Sequence, residues 1–348
     1  MFKIDGREIS EHNDCYVIAE IGNNHQGSVE KCLKIIEAAK NAGADAVKLQ
    51  KRNNSELFTR KMYESPYENR NSFGKTYGLH RDFLEFNKKD YEKIIKFCKK
   101  LKITFFATPF DFPSADFLND LDLPAFKIAS GDATNTPLIE HVAKFKKPVL
   151  LSTGGCEIID VERAYKAAKK FNDKICILQC TSSYPANFSD LNLNVISDFK
   201  KRFPDAIIGY SGHDNGISAP IIAYILGSLV IEKHFTLNRT WKGTDQIFSL
   251  TPEGMRKMVR DLKRAKLSLG SKEKNVLECE KAPIFKMRKK LVASKNLQKN
   301  HKLTHNDIKI KSPGDGLSPY LIHEVIGKIT LINMEEDEEI SLKNLKLN

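Results

Sequence analysis

The stretch AIIGYSGHDNGISAPIIAYILGSLVIEKHFT, residues 206–236, decides how the chain folds. It contains two short apolar runs that each end in a histidine, and a helix-length apolar segment between them. This β-α-β spacing places two parallel strands side by side. His213 and His234 would then lie at the same carboxyl-terminal edge of the sheet. Imidazole is the commonest nitrogen ligand of divalent metals, so the pair predicts a shared metal site. Ordinary polar residues at strand ends are the alternative.

Similar strand-like runs recur along the chain, and a helix-like segment follows each of them. The runs span residues 15–20, 44–50, 103–108, 125–130, 148–153, 175–181, 206–213 and 229–234. Nearly every position in them is apolar, which is typical of strands buried on both faces of a parallel sheet. Eight β-α units that close on themselves form a TIM barrel, so we predict an α/β protein with a TIM (β/α)8 barrel. A doubly wound open sheet is the alternative, but no G-x-G-x-x-G motif follows the first strand.

Two regions depart from this repeat. Residues 51–89 are polar and aromatic without a regular period, and we predict a long loop that acts as a lid or substrate wall. After Gly270 the helical pattern ends. We therefore predict a barrel domain of residues 1–270, a linker of residues 271–287, and a small α+β domain of residues 288–348.

Composition limits the class of protein. A chain of 348 residues with 41% hydrophobic residues is large enough for one barrel and a small second domain. No apolar run has the length of a membrane span, and MFKIDGREIS at the amino terminus lacks the apolar segment of a secretory signal. The seven scattered cysteines lack zinc-site spacing, which favours reduced thiols in a cytoplasmic enzyme.

The net charge of +12 raises the question of a nucleic-acid partner. The lysines are spread along predicted helices, without interleaved aromatic residues or a nucleic-acid motif. We therefore expect neither a nucleic-acid nor a membrane partner. A positive field would still favour anionic small-molecule substrates.

Charged residues inside two predicted strands point to the chemistry. Lys48 and Lys127 interrupt apolar runs, and a buried ammonium group is costly unless it is paired or used. We predict an anion site in which both lysines, with the hydroxyl groups of Thr108, Ser130 and Ser152, bind a carboxylate and a phosphate. A buried Lys–Glu pair and a Schiff-base lysine are the alternatives.

Nine motifs at the strand ends carry a resemblance to a known family. They are AEIGNNHQGS (19–28), VKLQ (47–50), ATPF (107–110), FKIASGD (126–132), LSTGG (151–155), QCTSSYP (179–185), GYSGHD (209–214), EKHFT (232–236) and WKGTDQIFS (241–249). In these motifs the chain resembles the sialic acid synthases. IKSPGDGLSP and VIGK, nearer the carboxyl terminus, resemble their antifreeze-like (SAF) domain. The resemblance implies a TIM barrel followed by this domain, in a domain-swapped homodimer.

The resemblance also implies an activity. Sialic acid synthases are C–C bond-forming transferases that condense phosphoenolpyruvate with an N-acetylated amino sugar, such as N-acetylmannosamine or a diacetamido sugar, and water. The products are a nine-carbon 2-keto sugar acid and phosphate, released by C–O cleavage. Legionaminic or pseudaminic acid synthesis and another phosphoenolpyruvate-dependent deoxy-sugar acid synthase remain alternatives. A polysaccharide- or ice-binding protein is the non-enzymatic alternative, which the buried lysines argue against.

Individual roles follow from the resemblance. It implies that His213 and His234 bind a divalent metal, for which Mn²⁺ is the first choice and Mg²⁺ and Co²⁺ are alternatives. The implied phosphoenolpyruvate site consists of Lys48, Thr108, Lys127, Ser130, Ser152, Ser182 and Ser211. The implied sugar site consists of Gln50, Asp132, Tyr184 and Asp245. Glu20, Lys48 and Lys127 are the implied catalytic residues, with Glu20 as acid or base.

The chain departs from the family pattern at three positions. Many members have Glu at Asp132, Asn at Ser182 and Arg at Ser312. In those members the arginine reaches the partner's active site and holds the N-acetyl group. Ser312 cannot span that distance or donate the same hydrogen bonds. We therefore expect Lys311 or residues 51–89 to hold the group instead.

Overall fold

The computed structural model describes residues 1–346 and contains two compact units, Met1–Gly270 and a second that begins at Ser271. The first unit starts with a hairpin of β1 (Phe2–Ile4) and β2 (Arg7–Ile9). The barrel strands are β3 (Tyr16–Gly22), β4 (Ala46–Lys51), β5 (Thr104–Pro109), β6 (Phe126–Ile128), β7 (Val149–Ser152), β8 (Ile175–Cys180), β9 (Ile207–Gly212) and β10 (Val230–His234). All of them run parallel, and β10 pairs with β3 to close the ring. The predicted TIM barrel is confirmed.

Two apolar clusters stabilise the barrel. The larger one lies between strands and helices and includes Val47 and Met258. The smaller one contains inward-facing strand residues such as Phe106 and Leu178, together with Ile4 of the hairpin. Other members of this cluster, such as Tyr16, Ala46 and Val230, are the first residues of their strands, and Asp5 of the hairpin accepts a hydrogen bond from Thr104 Oγ1 at the start of β5 at 3.1 Å. The hairpin therefore covers the amino-terminal end of the barrel. The carboxyl-terminal end is left for polar side chains.

Helices surround the barrel and begin at capping residues. They are α1 (Val29–Asn41), α2 (Asn54–Leu57), α3 (Arg60–Tyr63), α4 (Tyr77–Leu84), α5 (Lys88–Leu101), α6 (Phe112–Asp120), α7 (Thr136–Lys144), α8 (Ile158–Lys169), α9 (Val195–Arg202), α10 (Ser218–Ile225) and α11 (Pro252–Leu269). The side chains of Ser28, Asn87, Asp111 and Thr251 each accept a hydrogen bond from a backbone N–H in the first turn.

Two predicted irregular segments contain helices. Residues 51–89, predicted as a loop, hold α2, α3 and α4, which are too short to give a clear apolar period. The predicted linker 271–287 ends in α12 (Lys281–Met287), which has only seven residues. Within residues 1–346, no helix combines the length and apolar character needed to cross a bilayer.

The second unit has its own small core. It comprises β11 (Lys290–Ala293), β12 (Ile308–Lys311), α13 (Ile322–Val325), β13 (Ile329–Thr330) and β14 (Leu345–Lys346). The second unit also contains single turns of 3-10 helix at Glu278–Glu280, His305–Asp307, Pro319–Leu321 and Leu342–Asn344. In the first unit, such turns lie at Ser130–Asp132 and Phe188–Asp190. Leu291, Val325 and Ile340 are fully buried in this core. Lys311 pairs with Asp337 within the same unit.

A buried histidine orders the connection between β3 and α1. The His25 ring stacks on Phe86 with 4.2 Å between centroids, and its Nδ1 accepts a hydrogen bond from the Gly27 N–H at 3.1 Å. Gly27 has a φ of +73°, and a Cβ there would lie 2.5 Å from the Phe83 carbonyl oxygen. Burial lowers the pKa of His25 to about 3. The imidazole is therefore neutral in the folded chain at neutral pH.

We expect His25 to make the fold less stable as the pH falls. Between its ordinary pKa of 6.5 and the folded value of about 3, the unfolded chain binds a proton that the folded chain does not. Stability therefore rises with pH across this window, and His25 should cost about 2 kcal/mol at pH 5 relative to pH 7.5. Urea unfolding of wild type and His25→Gln at both pH values measures this difference. Equal pH dependence in the two proteins would contradict it.

Candidate active site

The carboxyl-terminal ends of the barrel strands surround a cavity of about 540 Å³. All the predicted site residues except Asp132 line it. These residues are Glu20, Lys48, Gln50, Thr108, Lys127, Ser130, Ser152, Ser182, Tyr184, Ser211, His213, His234 and Asp245. Asp132 ends the 3-10 turn after β6, where its carboxylate accepts a hydrogen bond from Asn135 Nδ2 at 3.3 Å.

Alternation along β10 decides which of its polar residues reach the cavity. Glu232 and His234 line it, whereas Lys233 between them does not. Lys233 Nζ lies 3.0 Å from Asp214 Oδ1, and both side chains are fully buried. The Tyr210 hydroxyl donates to the same Asp214 oxygen at 2.7 Å. Since successive strand side chains point to opposite faces, the Lys233–Asp214 pair belongs to the outside of the barrel.

The charged centre of the cavity begins with Lys48. Its Nζ lies 2.8 Å from Glu20 Oε2 and donates to Thr108 Oγ1, also at 2.8 Å. Glu20 Oε1 accepts a hydrogen bond from Gln50 Nε2 at 2.9 Å. Lys48 and Glu20 are both nearly fully buried. The Lys–Glu pair considered from the sequence therefore exists, and it lines the cavity.

Glu232 connects the two predicted lysines, although it was not among the predicted site residues. Its Oε1 lies 3.4 Å from Lys127 Nζ and 3.8 Å from Lys48 Nζ, and accepts a hydrogen bond from Ser211 Oγ at 3.1 Å. Burial opposes ionisation of this carboxyl group. The ammonium groups of Lys127 and Lys48 outweigh that effect and lower the pKa of Glu232 to about 2. Glu232 is therefore ionised at neutral pH.

Some of the hydroxyl groups around this centre already have a hydrogen-bond partner in the protein, and others do not. Ser130 Oγ accepts a hydrogen bond from the Gly154 N–H at 2.9 Å. Ser152 Oγ is buried and has no hydrogen-bond partner among the described residues, 1–346. An unbonded buried hydroxyl is unfavourable, so Ser152 offers a hydrogen bond to a polar ligand in the cavity.

Two imidazole rings lie together on one side of the cavity. The ring centroids of His213 and His234 are 5.4 Å apart. His213 Nδ1 is 2.8 Å from the Thr181 carbonyl oxygen, which can only accept, so Nδ1 carries the proton and Nε2 has a free lone pair. Burial, with a contribution from His234, lowers the pKa of His213 to about 3. His213 is therefore neutral, as a metal ligand must be.

These rings fit a divalent metal with an incomplete protein shell. His234 Nδ1 is buried and finds no hydrogen-bond partner among the residues that the structure describes, and Asp245 Oδ2 is 3.7 Å away from it. Within residues 1–346, no group of three or more His, Cys, Asp or Glu side chains has the arrangement of a metal site. The two imidazoles would therefore be the protein ligands of the metal, and water or substrate would supply the remaining ligands.

Several lining residues were assigned no role from the sequence. Besides Glu232 they include Asn23, Arg52 and Arg81. Glu232 carried a usable signal, since it lies two residues before His234 in an apolar strand and so faces the same side. Arg52 and Arg81 carried none, because the segment 51–89 has no period from which their direction could be read.

We expect Glu232→Gln to lower the free energy of unfolding by about 3–5 kcal/mol. Within residues 1–346, Glu232 is the only carboxylate within 4.0 Å of Lys127 Nζ, so the variant leaves a buried ammonium group uncompensated. Urea unfolding at pH 7.5 measures the loss. Glu253→Gln, in an exposed pair with Arg256, is the matched control and should change stability far less. Similar effects of both variants would show that burial of the Glu232 charge does not matter.

Known proteins are similar to this chain in sequence and in fold. Residues 35–274 match the NeuB family and residues 288–346 match the SAF domain. The chain is 39% identical over 336 residues to human N-acetylneuraminate-9-phosphate synthase, across 96% of this chain and 94% of that protein. It is 35% identical over 328 residues to N,N'-diacetyllegionaminic acid synthase of Campylobacter jejuni, across 93% and 98% of the two chains.

A solved structure of a related protein has the same fold. The crystal structure of N-acetylneuraminic acid (sialic acid) synthetase from Leptospira borgpetersenii, in complex with citrate, superposes with a TM-score of 0.71 at 32% identity. The match covers 81% of this chain and 94% of that one. The resemblance seen in the motifs is therefore confirmed, and the chain belongs to the NeuB family, with a SAF domain at its carboxyl-terminal end.

Proposed function

We propose that this protein condenses phosphoenolpyruvate with an N-acetylated amino sugar and water, giving a nine-carbon 2-keto sugar acid and inorganic phosphate. The observation that carries the proposal is a single cavity with paired lysines and a histidine pair, Lys48 and Lys127 with His213 and His234. The lysines suit an anionic enol phosphate, and the two imidazoles suit a carbonyl-activating metal. The names of the human and Campylobacter relatives support the same class of reaction.

Lys48 and Lys127 would bind the carboxylate and phosphate of phosphoenolpyruvate. Both ammonium groups are buried and lie near Glu232. Glu20 and Thr108 already take two of the three N–H groups of Lys48, which leaves one for a ligand, whereas up to two remain on Lys127. The unbonded hydroxyl of Ser152 would complete this site. In a buried cavity these charge-assisted hydrogen bonds also stabilise the charge that develops as phosphate leaves.

Glu20 would move the proton in the water-addition step. The enol carbon of phosphoenolpyruvate attacks the aldehyde carbon, and water then adds to C2 of the former enol phosphate. Glu20 is held by Gln50 and Lys48, which fix its carboxylate at the cavity wall. From there it would accept the proton of the attacking water, after which the tetrahedral intermediate loses phosphate by C–O cleavage.

His213 and His234 would hold the divalent metal, with Mn²⁺ proposed first and Mg²⁺ or Co²⁺ as alternatives. When bound, such an ion supplies Lewis acidity to the aldehyde oxygen. Tyr184 packs against His213 with 4.2 Å between ring centroids, so it would keep this ring in place beside the sugar. Gln50 and Asp245 would contact the sugar's hydroxyl and acetamido groups.

A substrate panel tests the function. Consumption of phosphoenolpyruvate and release of phosphate are measured with N-acetylmannosamine, its 6-phosphate, diacetamido sugars, arabinose 5-phosphate and erythrose 4-phosphate. We expect turnover with one or more N-acetylated sugars. Turnover with the arabinose or erythrose phosphate alone would instead indicate another deoxy-sugar acid synthase. The domain-swapped homodimer and the cytoplasmic location remain predictions from the family resemblance, and light scattering tests the first of them.

We expect His234→Ala to reduce kcat by at least about 100-fold and to weaken Mn²⁺ binding, because one of two protein ligands is lost. Activity before and after chelation, and calorimetric titration with Mn²⁺, measure the two effects. His12→Ala, which removes an exposed histidine outside the cavity, is the control and should behave as wild type. Wild-type activity that survives complete chelation would rule out the metal role.

A further inference from the structure

Two arginines from the segment 51–89 line the cavity and take no part in the proposed chemistry. Arg52 directly follows β4, and Arg81 lies on α4. Arg52 is only 7% exposed. Arginine is rarely buried this deeply unless its charge is compensated and its N–H groups are hydrogen-bonded. The partners of each guanidinium group therefore show whether a ligand could bind there.

Arg52 is held in a fixed position but is not fully bonded. Its Nη2 donates to Gln50 Oε1 at 2.7 Å, and its guanidinium group lies 3.7 Å from the centroid of the Phe110 ring. Its Nη1 is buried and has no hydrogen-bond partner in the part of the chain that the structure describes. Glu85 Oε1 is the nearest carboxylate oxygen to Nη1, at 3.9 Å, and Lys51 already pairs with Glu85 at 2.9 Å. One donor edge of Arg52 therefore remains free beside the cavity.

Arg81 adds a second positive charge that nearby carboxylates do not compensate. Its Nε and Nη2 donate to the neutral Tyr77 hydroxyl at 3.1 and 3.0 Å. Within residues 1–346, no carboxylate oxygen lies within 4.0 Å of its guanidinium nitrogens. Arg52 and Arg81 line the same cavity, and burial together with the Arg81 charge lowers the pKa of Arg52 to about 10. Two like charges held together are unfavourable unless an anion joins them.

The two arginines lie apart from the lysines along a chain of hydrogen bonds. Arg52 bonds Gln50, Gln50 bonds Glu20, and Glu20 pairs with Lys48. Gln50, which belongs to the predicted sugar site, thus lies between the guanidinium pair and the ammonium groups. The cavity therefore offers cations on both sides of the place proposed for the sugar.

We propose that Arg52 and Arg81 form a second anion subsite, which binds a phosphate monoester on the far end of the acceptor sugar. This inference rests on the proposed function, because it names the class of acceptor. A neutral acetamido oxygen would accept one hydrogen bond and leave the two positive charges uncompensated. A phosphate dianion compensates both, and its oxygens match the planar donor edges of guanidinium groups.

The experiment compares N-acetylmannosamine with its 6-phosphate in wild type, Arg81→Gln and Arg81→Lys. Arg81 is the better target because Arg52 also bonds Gln50. We expect wild type to prefer the 6-phosphate. Arg81→Gln should raise its KM for the 6-phosphate by about 10- to 100-fold, the loss of one charge-assisted hydrogen bond. Its KM for phosphoenolpyruvate and for the unphosphorylated sugar should stay within about twofold, and Arg81→Lys should recover part of the loss.

Arg60→Gln is the matched control, because Arg60 lies in the same segment but is exposed and pairs with Glu64. It should behave as wild type. Equal use of both sugars by wild type, or an equal change in both KM values in Arg81→Gln, would overturn the subsite while the proposed function stands. Absence of turnover with either sugar would count against that function. In that case calorimetric titration with the 6-phosphate would still test the subsite. Binding that is lost in Arg81→Gln would support it, and binding that is kept would contradict it.

Discussion

The structure depends on the mutual compensation of four charged side chains inside one end of a closed barrel. Lys48, Lys127, Glu20 and Glu232 are all nearly fully buried, and each lies within 4 Å of an opposite charge. Leaving any one of them unpaired would cost several kcal/mol. The arrangement has no net charge, yet it keeps lysine donors directed at the cavity. The same contacts therefore stabilise the barrel and prepare it for an anion.

Buried charges in this protein fall into two groups with different meaning. Lys233 and Asp214 form a buried pair outside the barrel, where Tyr210 also donates to Asp214, and neither residue lines the cavity. At the cavity, Arg52 keeps an unbonded donor and Arg81 has no carboxylate oxygen within 4.0 Å, as far as the described residues 1–346 are concerned. A satisfied pair contributes to folding, whereas an unsatisfied group gains its partner only when a ligand binds. This difference separates structural charges from those available for recognition.

The histidine pair shows how barrel closure creates a site from distant residues. His213 follows β9 and His234 ends β10, so the register of two neighbouring strands brings their rings within 5.4 Å. The Thr181 carbonyl, at the end of β8, selects the tautomer of His213. Three consecutive strands thus define one candidate metal site. Small errors in strand register would separate the rings, so the site depends on the correct pairing of these strands.

The amino-acid sequence by itself determined the barrel and most of the cavity wall. Apolar runs of strand length, repeated with helices between them, leave few alternatives to a closed parallel sheet, and polar residues at strand ends then meet at one rim. Only the tertiary structure decided that Glu232 joins the two lysines and that Arg52 and Arg81 face the cavity. The reason is physical. A strand's period is encoded locally, but pairing of charges across the barrel, and the course of the irregular segment 51–89, arise from contacts between residues far apart in the chain.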